Sequence, residues 1–286
     1  MLKMICAAVA VTVGLSVAVP AAVAQPAKKG YADVNGLKMH YEVHGSGRPV
    51  MVLHGAYMST ESMKPMIDGL AKTRQVIAMD LQAHGRTADI DRPITYEAMA
   101  DDVDALMEEL GVAQADIFGY SMGGTLAYQL AIRHPERVRR LAAASGTYKT
   151  AGMYPELVAM IGQMTPEVFA GSPMEAEYKK LAPQPENFSK LVAKLVKLDT
   201  TPQDWPADAI KAIKAPTLVI STDADVIQPE HSVEIFRLRG GGHSPDFMSA
   251  GTTELAILPG TSHMAVMERT DILVPMVTNF FDKEVK

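Results

Sequence analysis

The sequence predicts an α/β protein whose mostly parallel sheet is flanked by helices and carries an inserted helical cap. Two observations predict it: short apolar runs alternate with segments of helical periodicity, and one long segment, residues 148–205, breaks that alternation. Strands that alternate with helices favour a parallel sheet buried on both faces. Of the 286 residues, 48% are hydrophobic, which is enough for a large core.

The predicted sheet begins with a hairpin, because Asn35 and Gly36 form a dipeptide that favours a tight turn between residues 31–34 and 37–43. The later predicted strands are short apolar runs, namely residues 49–54, 75–80, 115–118, 138–144, 216–221 and 254–258. Apolar residues at helical spacing predict a helix over residues 96–110, and residues 272–280 belong to a closing helix.

Residues 148–205 contain helical patterns and prolines but no convincing strand. They are predicted to form a cap over the carboxyl ends of the strands, where open α/β sheets bind ligands. The core domain would then comprise residues 25–147 and 206–286. Met160, Met164 and Phe169 give the cap an apolar, adaptable character that suits a small hydrophobic substrate.

Residues 1–24 have the pattern of a secretory signal peptide. Lys3 precedes an apolar stretch over residues 4–19, and an Ala-x-Ala cleavage site ends at Ala24. The stretch is short for a membrane anchor, so we expect export to a periplasm or the extracellular space, with no stable membrane insertion after cleavage. Cleavage would also remove Cys6, the only cysteine.

The charge pattern argues against a nucleic-acid partner, since the net charge is −6 and the Lys and Arg residues form no basic stripe. No histidine pairs with Cys, Asp or Glu at a spacing typical of a metal site, so neither a metal nor another cofactor is expected.

Residues 119–123 read Gly-Tyr-Ser-Met-Gly and lie between a predicted strand and a predicted helix at residues 124–132. A serine on a sharp turn from strand to helix is the nucleophile elbow of serine hydrolases. The turn strains the backbone of the serine, so small residues are needed beside it. Ser121 is therefore the candidate nucleophile.

A nucleophilic serine needs a base within reach and an acid that orients the base. Enzymes with such an elbow present these groups in the order serine, acid, histidine. Asp223 and Asp225 both follow the predicted strand at 216–221, and His263 follows the one at 254–258. Spacing alone does not choose between the two acids. Residues 142–146 contain no carboxylate, which excludes another strand end as the source of the acid.

Among the other histidines, His243 is the rival base because it lies in a glycine-rich loop. It precedes the last predicted strand, however, so the chain order favours His263. His54 and His84 are expected to brace loops, and His231 is expected on the surface of a helix.

Acyl transfer places negative charge on a carbonyl oxygen, which backbone N–H groups stabilise. Met122 follows the nucleophile and begins a helix, so its N–H is one candidate donor. Ala56, in the loop after the strand at 49–54, is the other.

The chain resembles the α/β-hydrolase superfamily, and in particular its capped serine esterases and its cofactor-free haloperoxidase-like branch. The resemblance rests on residues 54–56, 80–87, 119–124, 216–220 with Asp225, and 260–263. It implies that Ser121 is the nucleophile, Asp225 the acid and His263 the base, with Ala56 and Met122 as oxyanion-hole donors. Thr87 and Thr222 depart from the usual serine and glycine. Epoxide hydrolases and haloalkane dehalogenases share the fold but use an aspartate at the elbow, so Ser121 argues against both.

These residues predict an exported serine hydrolase that cleaves carboxylic esters of small hydrophobic molecules through an acyl-enzyme. The alternatives are a hydrolase or perhydrolase acting on lactones, thioesters, amides or carbon–carbon bonds, and a ligand-binding protein with little turnover.

Overall fold

The computed structural model describes residues 28–244, 246 and 251–284, so the predicted signal peptide at 1–24 lies outside the described residues. Eight strands form one sheet in the order β1-β2-β4-β3-β5-β6-β7-β8. The strands are β1 (Lys28–Val34), β2 (Leu37–His44), β3 (Pro49–Leu53), β4 (Gln75–Met79), β5 (Ala115–Tyr120), β6 (Val138–Ala144), β7 (Thr217–Ala224) and β8 (Thr253–Ser262).

The sheet is antiparallel at one edge, where β2 pairs with β1 and β4, and parallel from β4 to β8. Each parallel connection requires a crossover, which helices supply. The α/β fold class with a mostly parallel sheet is therefore confirmed. At the hairpin, Asn35 and Gly36 both have positive φ, 48° and 84°, as its tight turn requires.

Nine α-helices occur in the described residues. They are α1 (Lys64–Leu70), α2 (Tyr96–Glu109), α3 (Met122–Arg133), α4 (Pro155–Ile161), α5 (Pro173–Leu181), α6 (Phe188–Thr200), α7 (Ala207–Ala212), α8 (Pro229–Leu238) and α9 (Thr270–Asp282). No helix among the described residues has both the length and the apolar character needed to cross a membrane.

The side chains of alternate residues on the central strands pack into two hydrophobic cores, one on each face of the sheet. On β3, Met51 and Leu53 join the core of α2 and α3, whereas Val50 and Val52 join the core of α1 and α9. This follows from the two-residue repeat of a strand, whose side chains point alternately to opposite faces. The helical layers leave the carboxyl ends of the parallel strands free to carry a site.

Residues 148–205 lie in the connection from β6 to β7 and contain α4, α5 and α6 but no strand. The two ends of this segment are tied together. An isolated antiparallel bridge joins Lys149 to Asp204, and the Thr150 N–H donates to the Gln203 carbonyl at 2.7 Å. The segment therefore leaves and rejoins the core at one place, beside two neighbouring strand ends.

The expected surface position of His231 is wrong. This residue of α8 is 4% exposed, and its ring stacks on Tyr148 with centroids 4.9 Å apart. Its Nε2 lies 2.9 Å from the Thr147 hydroxyl and its Nδ1 lies 3.0 Å from Glu234. The first residues of the helical segment cover this face of α8, which the pattern of α8 itself does not reveal.

Candidate active site

Ser121 occupies the turn between β5 and α3 with φ 56° and ψ −119°, a backbone conformation that is strained for any residue except glycine. Its glycine neighbours are required by close packing of the backbone. A β-carbon on Gly119 would lie 2.0 Å from the Gly123 carbonyl oxygen, and one on Gly123 would lie 2.2 Å from the Leu53 carbonyl oxygen. The two glycines therefore let the turn fold tightly enough to present the serine.

His263, which directly follows β8, lies with its Nε2 3.0 Å from the Ser121 Oγ. Two contacts with Tyr120 position the histidine. The Tyr120 hydroxyl donates to the His263 carbonyl oxygen at 2.7 Å, and the two rings pack with centroids 5.3 Å apart. The residue before the nucleophile thus holds the backbone of the candidate base.

Asp225 completes the series, since its Oδ1 lies 2.7 Å from the His263 Nδ1. The carboxylate also accepts hydrogen bonds from the Ser145 hydroxyl (2.6 Å), the Val226 N–H (2.8 Å), the Thr222 N–H (3.2 Å) and the Ser221 hydroxyl (3.3 Å). Burial raises the pKa of Asp225, but the hydrogen bonds from His263, Ser145 and the backbone outweigh it and hold the pKa below its usual value. The acid is therefore ionised next to the histidine.

The neighbouring Asp223 lies away from His263 and has a local structural contact. Its carboxylate accepts hydrogen bonds from the Gly260 and Thr261 N–H groups at 2.8 and 3.2 Å, and these bonds lower its pKa. It thereby ties the end of β7 to β8. His243 is exposed in the segment before β8.

Ala56 and Met122 line one cavity together with Ser121 and His263. Met122 is the first residue of α3, so its N–H has no acceptor within the helix. His54 holds the loop that carries Ala56. Its Nε2 accepts from the Leu81 N–H at 3.0 Å, so the ring is protonated on Nδ1, which donates to the Gly55 carbonyl at 2.8 Å. Burial lowers the pKa of His54, in agreement with this neutral form.

His84 lies behind this loop, with its ring centroid 5.0 Å from that of His54. Its Nδ1 contacts the Gln82 carbonyl at 2.8 Å, and burial together with His54 lowers its pKa to about 3. The adjacent Asp80 accepts from the backbone N–H groups of Thr60 and Arg86 at 2.7 and 2.9 Å. These contacts tie the loop that follows β3 to the loop that follows β4.

The cavity above Ser121 has a volume of about 230 Å³. Residues 148–205 supply about half of the residues that line it, and the apolar side chains among them are Met153, Leu157, Ile161, Met164, Phe169, Met174 and Leu198. Phe169 packs on Tyr57 of the core with ring centroids 4.5 Å apart, which fixes this wall against the loop of Ala56. The compartment therefore suits a small molecule with apolar groups.

One cluster in the described part of the chain has the donor spacing of a metal site: Asp104, His134 and Glu136. Arg137 already pairs with Asp104 at 2.5 Å. Glu136 precedes β6, whereas Ser121 follows β5, so the cluster lies at the opposite end of the sheet from the cavity. It therefore has no contact with the candidate site.

Three residues of the site were not singled out from the sequence. Ser145 and Ser221 donate to Asp225, and Asp199 lines the cavity. Ser145 stands at the end of β6, where a polar residue reaches the same edge of the sheet as Ser121. The sequence has no carboxylate at this position, and the hydroxyl found there instead donates to the Asp225 carboxylate.

The comparisons with known proteins agree with this architecture. A family model described as the alpha/beta hydrolase fold matches residues 48–205. A soluble epoxide hydrolase of Corynebacterium sp. is 34% identical over 136 residues, which cover 46% of each chain. The chain spans less than half the length of the curated relatives it matches.

Two solved structures are similar in fold at identities below 25%. An α/β-hydrolase enzyme from a Medee basin deep-sea metagenome library has a TM-score of 0.72 at 22% identity, covering 90% of this chain and 98% of that one. The enol-lactonase from Burkholderia xenovorans has a TM-score of 0.67 at 23% identity, covering 88% and 100%. With a family match over more than half of its residues, the chain belongs to the α/β-hydrolase fold family.

Proposed function

We propose that this protein is a serine hydrolase that cleaves carboxylic ester bonds of small hydrophobic substrates. The observation that carries the proposal is the continuous series of contacts from the Ser121 Oγ through His263 to Asp225, at 3.0 and 2.7 Å. A base within hydrogen-bond reach of a serine, itself oriented by a buried carboxylate, is the arrangement that activates a hydroxyl as a nucleophile.

In the first step, the Ser121 Oγ attacks the ester carbonyl while the His263 Nε2 takes its proton. The ionised Asp225 accepts the hydrogen bond of the His263 Nδ1–H, which leaves Nε2 free to act as the base. The protonated His263 then gives its proton to the departing alkoxide, and an acyl-enzyme remains on Ser121.

The N–H groups of Ala56 and Met122 are the proposed donors to the oxyanion of this step. The position of Met122 at the start of α3 supports the role, because the N-terminus of a helix favours negative charge. The His54 contacts that hold the Ala56 loop supply the preorganisation on which such donors depend.

In the second step, a water molecule attacks the acyl-enzyme while His263 removes a proton from that water. Ser121 recovers a proton from His263 as the carboxylic acid leaves. The apolar wall of the cavity supports a small hydrophobic acyl or alcohol group. Epoxide hydrolysis is not expected of this protein, because Ser121 stands where epoxide hydrolases have an aspartate.

The proposal includes export, for which the pattern of residues 1–24 is the support. The working location would be a periplasm or the extracellular space, and the partner a small-molecule ester. Amino-terminal sequencing of the protein recovered from its native host tests this part, with cleavage after Ala24 expected.

Hydrolysis of p-nitrophenyl esters and labelling by a fluorophosphonate probe test the activity. We expect Ser121→Ala to abolish both and Ser189→Ala, which alters an exposed serine on α6, to leave both unchanged. Ester hydrolysis retained by Ser121→Ala would refute the serine mechanism. A wild-type protein that fails to react with the probe would favour ligand binding without turnover, and a panel of lactones, thioesters and amides would reveal another acyl substrate.

A further inference from the structure

One carboxylate lies among the described residues that line the cavity above Ser121, and it belongs to Asp199. Asp199 is in the last turn of α6, within the helical segment, whereas Ser121 and His263 lie at the strand ends. The neighbouring wall is built from methionine, leucine, isoleucine and phenylalanine side chains. A group that is charged in its ionised form therefore stands beside a largely apolar wall, in a cavity that hydroxyl side chains also line.

Within the described part of the chain, Asp199 has no hydrogen bond and no ion pair. Burial is the only influence on its pKa and raises it to about 6. By its accessible surface Asp199 is half-buried. Fully buried carboxylates among the described residues have partners; for example, Asp225 contacts His263, and Asp116 contacts Arg139. A carboxylate partly withdrawn from water without a partner is unfavourable unless something else supplies the missing contact.

Gln203 also lines the cavity. Its side-chain Nε2 is fully buried and has no hydrogen bond to a described residue, so this atom does not face the cavity. The charged contact that the helical segment offers to a ligand in the cavity is therefore the Asp199 carboxylate.

Among the described residues, no cation pairs with Asp199. Lys194, on the same helix, is bonded to Asp89 and to two backbone carbonyls. Lys197 precedes Asp199 by two residues, and residues at that spacing lie on different sides of a helix. An ionised carboxylate in an apolar pocket binds most strongly to a charged donor, and here the donor must come from the ligand.

We propose that Asp199 is a specificity-determining residue that selects substrates carrying an ammonium group, joined by an apolar spacer to the acyl bond that Ser121 attacks. This inference rests on the proposed function for the position of the acyl bond. The recognition of the ammonium group itself is independent of catalysis, and so it can be tested without turnover.

Calorimetric titration of Ser121→Ala with n-pentylammonium and with its neutral counterpart 1-pentanol, above the pKa of Asp199, tests the recognition. We expect the ammonium to bind about tenfold or more tightly than the alcohol, as a charge-assisted hydrogen bond in a cavity would provide. Asp199→Asn in the Ser121→Ala background should abolish this preference. The matched control is Asp208→Asn in the same background, which alters an aspartate on α7 whose side chain is 90% exposed, and it should leave the preference intact.

Equal affinity for the two probes, or a preference that survives Asp199→Asn, would overturn the proposal. Neither result would bear on the labelling of Ser121, so failure of the recognition is distinguishable from failure of the ester-hydrolysis proposal. In the wild-type background, Asp199→Asn should also lower the kcat/KM for amino-terminated esters about tenfold relative to their methyl-terminated counterparts. A parallel loss on both ester series would contradict a role in specificity.

Discussion

The hydroxyl of Ser145 donates a hydrogen bond of 2.6 Å to the Oδ2 of Asp225, so a serine at the end of β6 holds the carboxylate that contacts His263. The contact links two neighbouring strand ends, and it is shorter than the one made by Ser221, at 3.3 Å. Ser145 itself has a φ of 54°, a left-handed conformation that is unfavourable for a residue other than glycine. The strained turn after β6 is therefore coupled to the orientation of the acid.

Ser145→Ala should lower the kcat/KM for ester hydrolysis about tenfold, because a hydrogen bond to a charged group is lost and Asp225 is less firmly held. Ser221→Ala, which removes the longer bond to the same oxygen, is the matched control and should have a smaller effect. Steady-state kinetics on one p-nitrophenyl ester measure both. An equal or larger effect of Ser221→Ala would refute the role given to Ser145.

Asp225→Asn should lower kcat about 10³-fold or more while Ser121 and His263 remain in place, since an amide cannot stabilise the protonated histidine. Asp223 lies two residues before Asp225 and contacts Gly260 and Thr261, so Asp223→Asn affects only these contacts. We expect it to retain most of the activity. If Asp223→Asn were the more damaging of the two, the acid would have been assigned to the wrong residue.

Gly123→Ala should destabilise the fold by about 3 kcal/mol or more, because the added β-carbon would lie 2.2 Å from the backbone oxygen of Leu53 and 2.7 Å from that of His54. Gly162→Ala offers a control at the end of α4, where no heavy atom lies within 3.4 Å of the added carbon. Thermal unfolding should show a large loss for the first variant and no loss for the second. Similar unfolding temperatures for the two variants would contradict the close backbone packing around Gly123 in the turn that carries Ser121.

Much of the fold and of the candidate site follows from local sequence. Apolar runs and the Asn35-Gly36 turn predict the strands. The order of residues after the strand ends places Ser121, the loop of Asp223 and Asp225, and His263 at one edge of the sheet, and the family resemblance is what favours Asp225 over Asp223. The end of β8 could not be predicted in this way, because residues 259–262 lack an apolar run and the register pairs only Ser262 among them, with Ala224 of β7. The short α1 could not be predicted for a different reason, since its seven residues show little helical periodicity.

The remaining residues depend on which distant segments meet. His231 is buried because Tyr148, more than eighty residues earlier in the chain, stacks on it. Asp199 belongs to an amphipathic helix, where a charged residue is expected to face water. Only the position of α6 over the strand ends places it in the cavity.

Asp199→Asn should stabilise the folded protein above about pH 6 and have little effect near pH 4. Burial raises the pKa of Asp199 from 3.8 to about 6, so the folded state binds more protons than the unfolded state between these values. Stability from this group is therefore present at low pH and is lost as the pH rises through that window. Removing the charge should recover on the order of 2 kcal/mol at higher pH. Unfolding by urea at several pH values measures this, with Asp208→Asn as the exposed control.

A carboxylate that costs stability in an apolar cavity, but whose removal also abolishes ammonium binding, would be retained for the ligand it recognises. A stability difference that is independent of pH would instead mean that Asp199 is not buried as an unpaired acid.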